Sequence, residues 1–203
     1  FPGCVLHLTV RPNAVDVNVH PTKTEVKFQS EQQVFSTVYH AVLSALNGAD
    51  SALLFCHVSP DGDTLGSALA LKIRLERMGK QAQVALDGSV PPRIAFLPGV
   101  DSLLKPGDLL PQTDIAIAID VASIDRLGRW KDAFEAHPAT LQMDHHGTNN
   151  AYAGLNLIDG TAPATALVLY RVLRKMDLPL SQEEAVCLYT ALATDTGNFI
   201  YDS

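Results

Sequence analysis

The chain is 203 residues long, 47% hydrophobic and 18% charged, with a formal net charge of −7. This composition excludes a disordered chain and gives a core of normal size to one good-sized domain, or to one domain with a smaller piece attached. The acidic balance excludes a broad basic face gripping duplex DNA, but not a short nucleotide held through bound cations.

The predicted elements fall into two groups. VLHLTV at 5–10 predicts a strand; VDVNV at 15–19 alternates with its valines on one face, and EVKF at 25–28 returns as its hairpin partner. Ser30 opens a helix with Gln33 as its capping-box partner. Val34, Val38, Ala41, Val42 and Ala45 give that helix one apolar face, and Asn47-Gly48 closes it. Residues 1–47 thus read as a small α/β unit, with a junction at 48–52 and a larger domain over 53–203.

From Ser51 the rhythm changes. SALLFCHV at 51–58 is nearly continuously apolar, as in a strand buried on both faces. Residues 64–78 predict a helix with Leu65, Ala68, Leu69, Leu75 and Met78 inward and Gly79 at its end. DIAIAID at 114–120 predicts a second buried strand and TLQMD at 140–144 a third. One helix starts around Pro163, and another at Ser181 with Glu184 completing a capping box. Strands interleaved with helices imply an α/β fold with a doubly wound, mostly parallel sheet.

Cys4, Cys56 and Cys187 are scattered, odd in number and set among apolar residues, so they read as buried reduced thiols in a reducing cytoplasm. No apolar run approaches the about 18 residues of a membrane span, and no signal peptide is recognisable. Phe1 and Ser203 carry no start or stop signal, so the chain reads as a fragment.

The chemistry gathers at the ends of the predicted strands. In HVSPDGD, the run Pro60-Asp61-Gly62 suits a turn, but a turn leaves His57 and Asp63 unexplained. The second strand ends in Asp120, the third in Asp144-His145-His146, and Asp195 comes off the last helix. Taken singly these are ordinary: a surface turn, a helix cap at Asp63, a solvated His145-His146 loop. Taken together they place carboxylates and imidazoles at the carboxyl rim of the sheet, where open α/β folds bind ligands. Carboxylates crowded there repel one another unless cations neutralise them. Mixed Asp and His donors suit Mn²⁺ or a similar first-row ion, and the lack of thiolates argues against structural zinc. Two ions about 3.5–4 Å apart clamp a phosphoryl group and lower the pKa of a bridging water, so the residues point to a two-metal phosphoesterase.

HVSPDGDTLGS, IAIDVASIDRLG, QMDHHGTN and ATDTGNF resemble, in order, the four motifs of the DHH phosphoesterases. That superfamily includes RecJ-type exonucleases, oligoribonucleases of the nanoRNase type, cyclic-dinucleotide phosphodiesterases and family II pyrophosphatases. The resemblance spans residues 51–203 and is strongest to the nanoRNase branch, which also removes the 3′-phosphate of pAp. It implies His57 and Asp61 as ligands of a first manganese, Asp120 as a bridge, and Asp63, His145 and Asp195 as the second site. It sets His146 at the substrate phosphate, as a charge stabiliser or proton donor. Asp144 would orient the histidines from behind. Arg126 would form a helix-holding ion pair or contact phosphate. The implied cofactors are two Mn²⁺, with Mg²⁺ or Co²⁺ as alternatives. The implied partner is a short oligonucleotide or nucleotide, with cyclic dinucleotides and pyrophosphate as other activities of the superfamily. Members also carry a smaller second domain whose glycine-rich loop grips the substrate. Nothing here corresponds to it, so the metal site reads as complete and the substrate site as incomplete.

RPNAVDVNVHPTKTEVKF and the helix after it resemble the end of the amino-terminal region of MutL, the mismatch-repair ATPase. In that family the lysine matching Lys23 reaches the ATP site. MutL's ATP-binding motifs are missing here, so no ATPase activity is implied; Lys23 reads as a solvated lysine and His20 as a turn residue. The junction is open to two origins, a gene fusion or an error in joining sequence reads, and an inactive fragment related to mismatch repair stays open as an alternative to the enzyme.

Overall fold

A computed structural model of the chain describes residues 15–16, 27–28 and 31–200, with side-chain surroundings from Phe35 onward. The predicted strand at 5–10, the Ser30 cap, and Cys4, His20 and Lys23 lie outside the described residues, as do the side chains of Gln33 and Val34. Strand β1 (Val15–Asp16) pairs antiparallel with β2 (Lys27–Phe28), with Val15 opposite Phe28. Helix α1 (Glu31–Gly48) buries Tyr39, Val42 and Leu46. Ala41 was expected inward but is exposed. Tyr39 and Leu46 bring far more apolar area than an alanine, and their burial sets the helix's rotation.

Five parallel strands follow: β3 (Ser51–Phe55), β4 (Gln81–Ala85), β5 (Ile115–Ile119), β6 (Thr140–Asp144) and β7 (Leu155–Ile158). Their order is β4-β3-β5-β6-β7. The helices between and after them are α2 (Gly62–Arg77), α3 (Lys131–Glu135), α4 (Thr165–Leu173) and α5 (Gln182–Asp195). One face of the sheet packs against α1, α2, α4 and α5 in a single core that contains Leu46, Leu54, Leu69, Ile117, Leu169 and Cys187. On the other face Phe55, Ala116 and Ala118 meet Leu127, Trp130 and Phe134 from the segment leading into α3. Helical cover on both faces makes the sheet doubly wound, as its sequence pattern implies. None of the described helices is long and apolar enough to cross a membrane.

Helix α1 belongs to this core and does not stand apart from it: the Tyr39 hydroxyl donates to the Arg171 carbonyl in α4. Strand β3 is shorter than its apolar run. Its ladder ends at Phe55, and Cys56-His57-Val58 leave the sheet toward the rim. Cys56 and Cys187 are buried free thiols, and burial pushes both up to about 12.

Two features fix α2 against α5. Arg74 and Glu184, both fully buried, meet through two bonds of 2.8 and 3.0 Å, and Arg77 Nη1 adds contacts of 2.9 and 2.8 Å to the two oxygens of the same carboxylate. Ser181 and Glu184 form the expected capping box at the start of α5. Gly66 lets the helices close: a Cβ there would stand 2.6 Å from the Cys187 carbonyl oxygen. The start of α2 and the end of α5 thereby reach the same end of the sheet.

Candidate metal centre

Strand β3 leads to β4 on one side and β5 leads to β6 on the other, so the neighbours β3 and β5 flank the switch point at which open α/β sheets form their ligand crevice. His57 follows β3 and Asp120 follows β5. Asp120 sits at φ +59°, a left-handed conformation uncommon outside glycine, and its amide is held by the Met143 carbonyl at 2.9 Å. That backbone turn stops the strand and leaves the Asp120 carboxylate at the rim.

Three triads of potential ligands lie there, each with its donor atoms within 4.8 Å of one another: His57, Asp61 and Asp120; Asp63, His145 and Asp195; and Asp120, His145 and His146. Asp120 divides itself between them. Its Oδ2 is 3.6 Å from His57 Nε2, while its Oδ1 is 3.7 Å from His145 Nε2 and 3.6 Å from His146 Nδ1. His57 Nε2 is also 3.6 Å from Asp61, and His145 Nε2 is 3.4 Å from Asp195. His57, Asp61, Asp63, Asp120, His145, His146 and Asp195 are brought into this one cluster, and Asp144 stands behind it.

The aspartates are not equivalent. Asp61, not Asp63, caps α2, its Oδ1 accepting from the amides of Asp63 and Thr64 at 3.0 and 3.1 Å. This corrects the cap reading of Asp63: a cap must precede the first helical turn, and the helix begins two residues earlier than its apolar pattern. Asp63, fully buried, instead reaches across to the start of α4. There it accepts from the amides of Thr165 at 2.6 Å and Ala166 at 2.9 Å, where unpaired helix amides favour negative charge. Thr165 also donates its hydroxyl to Asp120 Oδ1 at 2.9 Å. Thr165's role is not legible from spacing along the chain, because the contact joins residues far apart in it.

The electrostatics of this crowding is lopsided. Burial pushes the Asp63 carboxyl well up, with Asp120 adding to it against the α4 amides. Burial likewise raises Asp195, with Asp120 and Asp61 working against His145. Burial disfavours a charged His57, yet the neighbouring carboxylates of Asp120 and Asp61 outweigh it and lift the imidazole to about 9. Carboxyls pushed up and a histidine lifted by its acidic neighbours are the marks of a buried, crowded acidic site.

Behind the rim, Asp144 Oδ1 accepts from the amides of His145 (2.8 Å) and His146 (3.3 Å) and from the His146 ring at 2.7 Å. The His146 hydrogen bond, with that of Asn149, overcomes the burial of Asp144 and holds its carboxyl below the usual range. Asp144 in turn raises His146. Arg126 makes no ion pair among the described residues, against one of the two expectations for it. Its Nη2 lies 3.2 Å from His57 Nδ1, whose proton is directed at the Val58 carbonyl at 2.7 Å.

Comparison with known proteins identifies two adjoining segments. The DHH family, N-terminal domain, matches residues 51–192, and the DNA mismatch repair protein, C-terminal domain, matches residues 1–47. The bifunctional oligoribonuclease and PAP phosphatase NrnA of Thermus thermophilus is 34% identical over 160 residues, covering 78% of this chain and 46% of that protein. The mismatch repair protein MutL of Symbiobacterium thermophilum is 46% identical over 63 residues, or 31% of this chain and 10% of that one. Among solved structures, an exopolyphosphatase-related protein from Bacteroides fragilis superposes with a TM-score of 0.77 at 26% identity, over 82% of this chain and 52% of that one. The chain therefore spans about half the length of the NrnA relative it matches. Four motif segments converge on one crevice, and the family match runs through the first three of them and over most of the chain: the chain belongs to the DHH family.

Proposed function

We propose that this rim is a two-metal phosphoesterase centre and that residues 53–203 carry the catalytic domain, hydrolysing a phosphoester in short oligoribonucleotides or in pAp. The observation that carries the reading is the division of Asp120 between two triads, one oxygen toward His57 and the other toward His145. The donor set fits two cations of the Mn²⁺ type: four carboxylates and two to three imidazoles, no thiolate, and two carboxyls pushed up by burial and by neighbouring carboxylates. His57, Asp61 and Asp120 would hold one ion, and Asp63, His145 and Asp195 would hold the other together with Asp120. When bound, such ions polarise a phosphoryl oxygen and lower the pKa of a water.

The protein's own groups supply the rest. Thr165 and the α4 amides hold Asp120 and Asp63 in place. Asp144 fixes a proton on His146 Nδ1, which leaves His146 Nε2 without a partner among the described residues. That half-exposed ring is the group placed to meet developing charge on a substrate phosphate, or to give it a proton. The reading places the chain in the cytoplasm, where thiols such as Cys56 and Cys187 stay reduced.

The test is a substrate panel with Mn²⁺: RNA dinucleotide, pAp, a cyclic dinucleotide and pyrophosphate. Turnover of the first two supports the reading, and turnover confined to the last two assigns another DHH activity. A folded chain that binds Mn²⁺ and turns over none of them supports the inactive, mismatch-repair-related alternative that the match over residues 1–47 raises.

A further inference from the structure

We propose that the groove between α1 and α4 is a second binding site, which takes a short stretch of single-stranded nucleic acid by its phosphates and a base; the proposal does not depend on the phosphoesterase reading. The groove measures about 440 Å³, within the about 300–1,000 Å³ usual for ligand sites, and Phe35, Tyr39, Tyr170, Arg171, Arg174 and Lys175 line it. Phe35 and Tyr39 stand on α1, Tyr170 and Arg171 on the last turn of α4, and Arg174 and Lys175 just past its end. One wall therefore comes from the segment that matches mismatch-repair proteins and the other from the DHH segment, so the groove is made by their joining. The bond from the Tyr39 hydroxyl to the Arg171 carbonyl ties the two walls together.

Three cations line the groove in a chain whose net charge is −7. Arg171 is already paired, its Nη1 2.6 Å from Asp159 Oδ2. Arg174 and Lys175 are exposed and have no carboxylate partner among the described residues, and no acidic side chain lines the groove there. Arg174 lies instead over the Tyr170 ring, 5.9 Å from its centroid, with Nη1 3.2 Å from the Tyr170 hydroxyl. Across the groove Phe35 stacks on the buried Tyr39, centroids 6.2 Å apart and planes 28° from parallel, while its own ring stays 36% exposed.

Cations at the end of a helix suit the helix dipole without any ligand. That accounts for Arg174 and Lys175 but not for the rings of Phe35 and Tyr170 left open beside them. The combination separates the two kinds of polyanion. An acidic peptide would pair with the cations and leave the rings idle, whereas a nucleic-acid strand sets phosphates on Arg174 and Lys175 and stacks a base on a ring.

The experiment is fluorescence anisotropy of an end-labelled oligo(A) RNA hexamer with the full chain in EDTA, where nothing is hydrolysed and the metal-free acidic rim repels phosphate. The variants are Tyr170→Leu and the pair Arg174→Gln with Lys175→Gln, each checked by its melting curve. Wild type is expected to bind saturably and, with two phosphate contacts, to weaken about 7-fold as salt rises from about 50 to 200 mM. The double variant is expected to bind more weakly with most of that salt dependence gone. Tyr170→Leu is expected to bind about 5–150-fold more weakly and to keep the salt dependence. No saturable binding by wild type, or binding that the double variant retains, overturns the proposal. So does a Tyr170→Leu variant that binds as tightly as wild type, and displacement of the RNA by polyglutamate would then assign the groove to an acidic peptide. Should a variant not fold, photocrosslinking of a thiouridine-containing hexamer to wild type decides: adducts on Phe35, Tyr39 or Tyr170 support the site, and adducts confined to other residues overturn it.

Discussion

Asp120 and His57 face each other at 3.6 Å, carboxylate to imidazole, from the ends of two neighbouring strands whose connections run in opposite directions. The pair exists because the sheet reverses its winding there and because Asp120 adopts a left-handed backbone at φ +59°. Both partners are almost fully buried, and at His57 the neighbouring carboxylates outweigh the burial that disfavours its charge. That sets the first expectation.

Without metal, the folded chain holds the His57 proton up to about pH 9 against an ordinary value of 6.5. A raised folded pKa gives stability that is fully present below pH 6.5 and lost as pH rises through about 9. His146, also raised, acts in the same sense. Asp61, Asp144 and Glu184 are depressed; their contribution is in place above the ordinary carboxylate range and is lost only on acidification. The melting temperature of chelator-treated protein is therefore expected to fall from pH 6.5 to 9, while Mn²⁺ affinity rises over the same interval because binding needs a neutral imidazole. Calorimetric titrations and melting curves across that range check both. A flat pair of profiles contradicts the expectation.

Gly66→Ala tests whether helix packing sets the rim. The new methyl would lie 2.6 Å from a backbone oxygen of α5, which a rotamer change cannot relieve. Helix α5 must shift, and Asp195 with it. We expect a loss of about 1–3 kcal/mol from overpacking together with weaker Mn²⁺ binding. Denaturant unfolding and isothermal titration read the two, and stability loss without any change in Mn²⁺ affinity would uncouple α5 from the site.

Glu184→Gln leaves the fully buried Arg74 guanidinium without its counter-charge. Breaking such a pair from one side costs about 3–5 kcal/mol, whereas replacing both partners, as in Arg74→Met with Glu184→Leu, costs much less. Urea unfolding of the single and double variants separates these outcomes. Equal losses in both would show that packing, not the uncompensated charge, dominates.

Leu46→Ala addresses the segment that matches mismatch-repair proteins. Leu46 is fully buried in the core shared by α2, α4 and α5, so its truncation is expected to cost about 2–5 kcal/mol. The exposed Ser44→Ala on the same helix is expected to stay within about 0.5 kcal/mol. A Leu46→Ala melting curve that matches wild type would mean that α1 is dispensable to the domain it packs on.

Much of this was legible in the sequence, for identifiable reasons. Strands β3, β5 and β6 are central, buried on both faces, and stand out as apolar runs. The edge strands β4 and β7 escaped notice: QAQVA keeps Gln81 exposed, and LNLI has only four residues with one fully buried. The rim residues were legible because carboxylates and histidines follow strand ends. Their division of labour was not. Asp61 as the cap, Asp63 at the start of α4, and Thr165 and Asn149 as supports all depend on contacts that spacing along the chain does not encode.

The most direct test of the two-metal reading is Mn²⁺-dependent hydrolysis of an end-labelled RNA dinucleotide by wild type and by Asp120→Asn. Asparagine tolerates the left-handed backbone at this position, so the variant keeps its fold and loses one charged oxygen. The account expects turnover in wild type that chelation removes, reduced at least about 100-fold in the variant. Turnover that persists undiminished in folded Asp120→Asn, or that needs no divalent cation, would contradict it.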